Sequence, residues 1–311
     1  MLCAVSVDLD EIPNYHAIHG LAPPQGDRAH VVYDVGLDRL EAFARAHHLP
    51  LTVFAVGRDL ERESNAQRLR TVVQRGHEIA NHSLSHRYDL SSLDHDEMVR
   101  EIQGGADAIE STIGERPVGF RAPGYNFSDR LGSALLDCGV QYDSSVFPCP
   151  YYYATKTAAL GVIRMLGRRS HSRLGHPAVL GAPMRPYRIG VPYWRRGTGI
   201  LELPIQVTRK ARLPFIGTSL ILAGPWGART ITRDVVGEPF VNLELHGLDV
   251  VSGDDGLDEL VPHQLDLRVP VERKLEALSV VVEALRHAGY RFVRLNEAAA
   301  ELSAKSDAGA R

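Results

Sequence analysis

The chain has 311 residues, of which 44% are hydrophobic and 23% are charged, and its formal net charge at pH 7 is −3. This composition is typical of a globular protein with a large core, and without a concentrated basic face it disfavours nucleic acid as a partner. The three cysteines, Cys3, Cys138 and Cys149, are widely spaced, which is typical of reduced thiols, and the first residues show no secretion signal, so we expect a cytoplasmic protein.

Short apolar runs alternate with amphipathic helical patterns along most of the chain. The sequence predicts strands over residues 3–9, 51–56, 77–81, 118–122, 200–207, 240–246 and 291–295. It predicts helices over residues 37–48, 65–76, 94–114, 129–139 and 271–289, and a last helix from Asn296. Repeated strand–helix units indicate a parallel sheet, and their number predicts one α/β domain over residues 1–311, built as a closed or nearly closed barrel. Residues 304–311 are predicted to form a flexible tail.

Two segments interrupt this pattern. Residues 146–198 are rich in Pro, Tyr, Arg and Gly, which predicts a long insertion with one short helical piece over 157–167. Such an insertion is either functional or a solvated surface excursion, and the residues alone do not decide between the two. The apolar stretch LPFIGTSLILAGPWG, residues 213–227, is too short to span a bilayer, and it predicts a buried strand and turn in preference to a membrane-surface patch.

Two pairs of polar residues follow predicted strands and suggest a metal site. In HSLSH, His82 and His86 are four residues apart, so on a helical turn they would share one face and could bind one ion. In the first strand, Asp8 and Asp10 are two residues apart and would point to the same side. Two such carboxylates repel each other unless a cation or an arginine compensates them. One carboxylate with two imidazoles is a familiar catalytic metal shell.

Three further motifs also come at strand ends. They are FRAPGY with Arg121, LELPI with Glu202, and FVNLELHG with His246. Each motif alone has an ordinary structural explanation, such as a surface turn or a structural histidine. Because active sites of α/β barrels lie at the carboxyl ends of the strands, the motifs together predict one metal site with an acid and a base.

In this order, the motifs resemble those of the polysaccharide deacetylase family, the carbohydrate esterases that share the NodB homology domain. The spacing VDLD is similar to that of a variant branch with a D-x-D first motif, which contains intracellular peptidoglycan-deacetylase-like and allantoinase-like proteins. The resemblance implies a distorted barrel of about seven strands and a metal-dependent hydrolase that removes an N-acetyl or N-formyl group from an amino sugar or glycoconjugate.

The resemblance also implies a role for each matching residue. The metal ligands would be Asp10, His82 and His86. Asp8 would be the general base, Arg121 would hold it, and His246 would be the general acid. The backbone N–H near Gly124 would stabilise the oxyanion. Zinc suits the ligand set best, although cobalt, nickel or manganese could serve.

The resemblance implies less about the substrate. Residues expected to face it are Tyr125, Glu202, Trp194 and Arg195, together with Tyr151, Tyr152, Tyr187, Tyr193, Arg185, Arg188 and Arg196 of the insertion. Aromatic rings stack on sugars and arginines hold phosphates, so we expect a nucleotide- or lipid-linked amino sugar, with no transmembrane segment and with membrane-surface contact left open. A hydrolase of a non-sugar amide and a non-catalytic glycan-binding protein are the alternatives. The oligomeric state cannot be predicted.

Overall fold

The computed structural model describes the backbone of residues 1–309 and the side chains of residues 1–304. The strands are β1 (Leu2–Asp8), β2 (Leu51–Ala55), β3 (Glu78–Asn81), β4 (Gly119–Phe120), β5 (Tyr142–Asp143), β6 (Tyr187–Ile189), β7 (Arg196–Glu202), β8 (Phe240–His246) and β9 (Arg291–Phe292). The helices are α1 (Ile12–His19), α2 (Leu37–Ala46), α3 (Glu63–Gln74), α4 (His95–Ile113), α5 (Asp129–Asp137), α6 (Pro150–Met165), α7 (Gly217–Val235), α8 (Val271–His287) and α9 (Leu295–Gly309). The tail predicted over residues 304–311 falls on the end of α9 and on residues outside this description.

The strands form one curled sheet in the order β6-β7-β5-β4-β3-β2-β1-β8. Neighbouring strands are parallel except β6, which runs antiparallel to β7. Strand β9 pairs with the first residues of β1, ahead of the part of β1 that pairs with β2. Just after β7, the N–H of Gln206 donates to the carbonyl of Asn242 in β8 at 3.2 Å. Because β7 and β8 lie near opposite ends of the strand order, this bond shows that the sheet curls almost into a ring. The predicted α/β fold with a distorted barrel is confirmed.

The alternation of side chains along β1 determines where the polar residues lie. Val5 and Val7 pack in the large core cluster. Leu2 and Ala4 point the other way, into a second apolar cluster that includes Phe54 and Tyr142. Ser6 and Asp8 continue this inner row toward the carboxyl end of the strand, where both are buried. The interior of the curled sheet is therefore apolar at one end and polar at the other.

The insertion, residues 146–198, is more regular than the sequence predicts. Helix α6 has 16 residues instead of a short piece, and β6 pairs antiparallel with β7 at the edge of the sheet. The helix begins where Cys149 Sγ accepts a hydrogen bond from the N–H of Tyr152 at 3.4 Å, and Pro150 occupies the first turn, where its missing N–H costs nothing. Three successive tyrosines of modest helix propensity, Tyr151 to Tyr153, conceal this start in the sequence.

The strand predicted within residues 213–227 is wrong, because α7 begins at Gly217. Ser219 Oγ accepts from the N–H of Ile216 at 3.4 Å and thereby caps the first turn. Gly224, with a φ of 66°, and Pro225 do not end the helix but kink it, and α7 continues against α8. None of the helices in the described part of the chain has the length and apolar character needed to span a bilayer.

Candidate active site

Three predicted ligands converge at the carboxyl end of β1 and β3. Asp10 Oδ1 lies 3.2 Å from His82 Nε2 and 3.0 Å from His86 Nε2. All three side chains are buried. Within the described residues, their donor atoms form a group in which a single ion could touch every member.

The two histidines do not lie on a helical turn, as the sequence predicts, but on a loop after β3. Ser83 and His86 have φ values of 66° and 53°, a left-handed conformation that is uncommon for residues other than glycine. The hydroxyl of Ser83 stabilises the loop by accepting from the N–H of His86 at 3.0 Å. Unfavourable backbone conformations of this kind cluster at functional sites, where the surrounding structure holds them in place.

Hydrogen bonding orients the ring of His82, and the nearby charges shift the pKa values of His82 and Asp10. His82 Nδ1 donates to the carbonyl of Arg121 at 2.8 Å, so Nε2 is the ring nitrogen that faces Asp10. Burial alone would lower the pKa of His82, but the nearby carboxylates of Asp8 and Asp10 raise it. Burial would raise the pKa of Asp10, yet His86 and His82 lower it well below its usual value. Asp10 is therefore a carboxylate that faces two imidazoles.

The unpaired atoms of this group fit a divalent cation. Among the described residues, Asp10 Oδ1 and both ring nitrogens of His86 are buried without a hydrogen-bond partner. Buried polar atoms are rarely left unpaired, and a site with one carboxylate and two imidazoles suits zinc and similar ions. The residues present thus match the kind of metal that the sequence predicts.

Arg121 joins Asp8 to the floor of the site. Its Nη1 donates to Asp8 Oδ1 at 2.6 Å, and its Nη2 donates to the hydroxyls of Ser6 and Ser144 at 2.8 and 2.9 Å. The guanidinium group also lies 4.1 Å from the centre of the Phe54 ring. Arg121 is fully buried, so Asp8 compensates a charge that would otherwise be costly. Asp8 Oδ2 is left 3.8 Å from His82 Nε2, beside the ligand group.

His246, at the end of β8, forms a second charged pair. Its Nδ1 lies 3.1 Å from Glu244 Oε1, and its Nε2 lies 3.0 Å from the hydroxyl of Tyr125. Burial lowers the pKa of His246, but Glu244 and Asp8 outweigh this effect and raise it to about 9. The pKa of Glu244 is raised to about 7, chiefly by burial. Glu244 was not predicted as a site residue, although its position two residues before His246 in LELHG indicates a shared face of the strand.

A strained turn carries Gly124 and Tyr125, which have φ values of 63° and 60°. The N–H of Tyr125 donates to the carbonyl of Ala122 at 3.0 Å, so this N–H already has an acceptor. The carbonyl of Gly124 accepts from Lys156 Nζ of α6 at 3.0 Å, and burial lowers the pKa of Lys156 to about 8. The sequence did not single out Lys156, because nothing in the pattern of the insertion shows that α6 packs against this turn.

Glu202 does not reach this group. Its side chain is fully buried at the end of β7, where Oε1 accepts from the N–H of Val146 at 3.0 Å. Burial and the adjacent Asp143 hold the pKa of Glu202 well above its usual value. The structure therefore places Glu202 inside the sheet, as one member of a buried pair of acids, and not on a substrate-facing surface.

The other substrate residues predicted within β6, β7 and their turn are also apart from the ligand group. Trp194 stacks on His176 with ring centres 5.1 Å apart, and Arg195 is exposed. Tyr187 and Tyr193 are buried in a core cluster, where the hydroxyl of Tyr187 donates to the carbonyl of Tyr193. These two tyrosines are not available to stack on a sugar, because their rings are part of the core.

The arginines of the same segment form local contacts. Arg185 pairs with Glu238 at 2.7 Å, Arg188 Nη1 donates to the carbonyl of Gly199, and Arg196 lies over the ring of Tyr187. Tyr152 of α6, in contrast, packs against Tyr125 with ring centres 5.6 Å apart. The part of the insertion that borders the site is therefore α6.

A cleft of about 410 Å³ opens beside the ligand group. Its lining includes Asn14, His86, Arg87, Tyr88, His171 and Arg173. His86 of the ligand group forms part of its wall.

The chain is similar to known proteins over part of its length. Residues 19–142 match the family model described as polysaccharide deacetylase. A peptidoglycan deacetylase of Helicobacter pylori is 28% identical over 160 residues, which cover 49% of this chain and 53% of that protein. A peptidoglycan-N-acetylglucosamine deacetylase of Bacillus cereus is 30% identical over 97 residues, covering 31% of this chain and 44% of that protein. The chain thus spans about half the length of the curated relatives it matches.

Solved structures show the same fold at low identity. A Mycobacterium smegmatis protein, provisionally assigned as a polysaccharide deacetylase, has a TM-score of 0.62 at 19% identity, covering 98% of this chain and 91% of that one. The PuuE allantoinase has a TM-score of 0.61 at 16% identity, covering 97% and 90%. Residues 19–142 thus match the polysaccharide deacetylase family, and the chain shares the fold of these solved structures.

Proposed function

We propose that the protein is a metal-dependent hydrolase that removes an N-acetyl or N-formyl group from an amino sugar. The observation that carries this proposal is the convergence of Asp10, His82 and His86 beside two charged pairs, Asp8–Arg121 and His246–Glu244. The match of residues 19–142 to the polysaccharide deacetylase model and the names of the two curated relatives, both deacetylases of peptidoglycan, support the same reaction class.

Asp10, His82 and His86 would hold the metal. When bound there, a divalent cation acts as a Lewis acid that polarises the amide carbonyl and makes water a stronger nucleophile. Zinc suits these ligands best, with cobalt, nickel or manganese as substitutes.

Asp8 is the proposed general base. Arg121 Nη1 donates to Asp8 Oδ1 at 2.6 Å, which restrains the carboxylate, and Oδ2 lies 3.8 Å from His82 Nε2 of the ligand group. A fixed carboxylate at this position can take a proton from the attacking water. The serine hydroxyls that bind Arg121 keep the guanidinium in the plane needed for this contact.

His246 is the proposed general acid. Glu244 on Nδ1 favours the imidazolium form at neutral pH, so Nε2 carries a proton that can pass to the leaving nitrogen. The hydroxyl of Tyr125 lies 3.0 Å from Nε2, where the leaving nitrogen must approach. Substrate therefore replaces this hydroxyl or binds beside it. Transfer of the proton releases a free amine and a carboxylic acid.

The narrower expectations about the substrate also belong to the proposal. Tyr152 and Lys156 of α6 border the turn of Gly124 and Tyr125, which supports a substrate-facing role for this part of the insertion. A nucleotide- or lipid-linked amino sugar, a cytoplasmic location and membership of the D-x-D branch stay predictions.

The test is the release of acetate and formate from a panel of N-acylated amino sugars, with purified protein before and after treatment with a chelator. We expect release that stops on chelation and returns with zinc, and elemental analysis of untreated protein that finds about one ion per chain. Metal-loaded protein that hydrolyses no sugar on the panel but opens a non-sugar amide such as allantoin would overturn the proposed substrate. Binding of sugars without hydrolysis would overturn the enzymatic proposal.

A further inference from the structure

The insertion carries an unusual charge. Residues 144–201 contain nine Lys and Arg residues and no Asp or Glu, whereas the whole chain has 35 basic and 38 acidic residues. A segment of one sign within a chain of the opposite net sign creates a local positive potential. This segment therefore attracts an anionic partner more strongly than the rest of the surface does.

Helix α6 lies in this segment and exposes several apolar side chains to solvent. None of its residues is buried. Tyr151, Val162 and Met165 are 52%, 49% and 80% exposed, and Leu166 just after the helix is 65% exposed. A helix at the surface of a globular protein normally turns its polar side to water.

The spacing shows that these apolar residues share one side of α6. Residues 151, 158, 162 and 165 lie within a narrow angular range on a helix of 3.6 residues per turn. The opposite side carries Tyr152 and Lys156, which contact Tyr125 and Gly124. The apolar side of α6 therefore points away from the protein.

Three exposed arginines lie at the end of this helix. Arg164, Arg168 and Arg169 line a cleft of about 570 Å³. Among the described residues, none of these three guanidinium groups forms an ion pair. Unpaired guanidinium groups next to an apolar surface are suited to phosphate groups at the boundary of an acyl layer.

The cleft at the arginines is adjacent to the cleft beside the ligand group. Ser170 lines both of them, and the second contains His86 of the ligand group.

We propose that α6 and the arginines that follow it bind the surface of an anionic lipid bilayer, with the apolar side of α6 inserted among the acyl chains and the guanidinium groups on lipid phosphates. An exposed apolar helix face flanked by cations is the arrangement that such surfaces bind. A second copy of the chain fits less well, because its own segment would bring arginines and no acidic side chain to pair with them.

The experiment is sedimentation of the full chain with vesicles of phosphatidylcholine alone and with about 30% phosphatidylglycerol. We expect binding to the anionic vesicles that weakens as salt is raised, and little binding to the neutral ones. The measurement needs no turnover, so its failure and the failure of the proposed function are distinguishable.

Two double variants test the two parts of the surface. Arg168→Ser with Arg169→Ser should weaken partitioning about thirtyfold, since each arginine near an anionic surface contributes about fivefold. Val162→Ser with Met165→Ser should weaken it about tenfold or more through lost apolar burial. Matched controls are Arg45→Ser with Arg100→Ser, and Leu136→Ser, which change exposed residues of α2, α4 and α5 and should bind as the natural chain does.

Equal sedimentation of the α6 variants and the natural chain would overturn the proposal, as would equal binding to neutral and anionic vesicles. A third outcome also contradicts it: no vesicle binding, together with a dimer in analytical ultracentrifugation that Val162→Ser with Met165→Ser dissociates. Circular dichroism of each variant verifies the fold, which we expect to be unchanged because all the substituted side chains are exposed.

Discussion

Glu244 and His246 are two residues apart on β8, and the charge of one depends on the other. The buried carboxylate stabilises the imidazolium, which is why the pKa of His246 is raised to about 9 in spite of burial. A general acid must be protonated to act, so activity should persist below this pKa and be lost as the pH rises through about 9. The basic limb of the pH profile is thus a property of the pair.

We expect Glu244→Gln to move this limb to lower pH. Without the carboxylate of Glu244, the largest interaction that raises the pKa of His246 is lost and this pKa falls, so kcat/KM should decline at a pH at least about one unit lower than in the natural enzyme. The pH profile of kcat/KM measures this directly, with Glu272→Gln on the exposed surface of α8 as the control. An unchanged basic limb in Glu244→Gln would show that His246 is not the acid.

Asp8 and Asp10 should respond to substitution in different ways. Asp10→Ala removes the carboxylate oxygen that lies close to both histidines, and we expect the purified variant to lack metal. Asp8→Asn leaves the ligand group intact, so it should retain metal but lose at least about a hundredfold in turnover. Elemental analysis beside activity separates the two residues. If Asp10→Ala binds as much metal as the natural chain, the ligand assignment fails.

Asp8→Asn should also destabilise the fold. Its carboxylate compensates Arg121, which is fully buried, and an uncompensated buried charge costs about 3–5 kcal/mol. Thermal unfolding of Asp8→Asn beside Asp8→Asn with Arg121→Met should show partial recovery in the double variant.

At the level of elements, the turn of Gly124 and Tyr125 connects α6 to the site. Gly124 has a φ of 63°, and a Cβ atom there would lie 3.0 Å from Tyr88 Cδ1. Gly114, at the end of α4, also has a positive φ of 79° but has open space around it. Substitution of Gly114 therefore tests backbone strain alone, whereas substitution of Gly124 adds a steric contact with Tyr88.

We expect Gly124→Ala and Gly114→Ala each to lose about 1 kcal/mol of stability from strain, since a left-handed conformation costs a side-chain-bearing residue about that much. Only Gly124→Ala should also lower kcat/KM, because Tyr88 must shift and the turn that carries Tyr125 must shift with it. Chemical denaturation and steady-state kinetics of both variants measure the two effects. Equal kcat/KM in the two variants would contradict a role for this turn.

The comparison of elements shows which signals a sequence carries. Strands β1 and β8 are buried runs of seven residues, and both agree with the prediction within a residue. Strands β4 and β5 have two residues each, too few to show a period. In α7, Gly224 and Pro225 suggest a break in sequence, whereas packing against α8 maintains the helix across the kink. The extent of β4, β5 and α7 depends on tertiary contacts, and a local sequence pattern does not contain these contacts.

The site shows the same division. Convergence of an aspartate after β1 with His82 and His86 was predictable because parallel strands place their carboxyl ends together, and the resemblance to the family singled out Asp10. The loop that brings His86 to Asp10 depends on a left-handed Ser83, a conformation that serine does not favour and that the sequence does not indicate. Lys156 was missed for a related reason, since its contact with Gly124 depends on how α6 packs.

For the molecule as a whole, a metal at the proposed site would connect distant parts of the chain. Asp10 follows β1, His82 and His86 follow β3, and His82 is in turn bonded to the carbonyl of Arg121 after β4. The unfolded chain does not hold these donors together, so an ion that binds only the folded state stabilises it by mass action. At an ion concentration about a hundred times the Kd, this stabilisation is about 2.7 kcal/mol.

We therefore expect chelation to lower the midpoint of thermal unfolding by several degrees, and zinc to restore it, in a manner that depends on ion concentration. Asp10→Ala should unfold at the same temperature with and without the ion, because the ligand group is incomplete. His95→Ala, at an exposed histidine of α4, should keep the full response and serves as the control. A zinc-dependent shift that persists in Asp10→Ala would mean that the ion stabilises the fold from another place. The assignment of the metal to the ligand group after β1 and β3 would then be wrong.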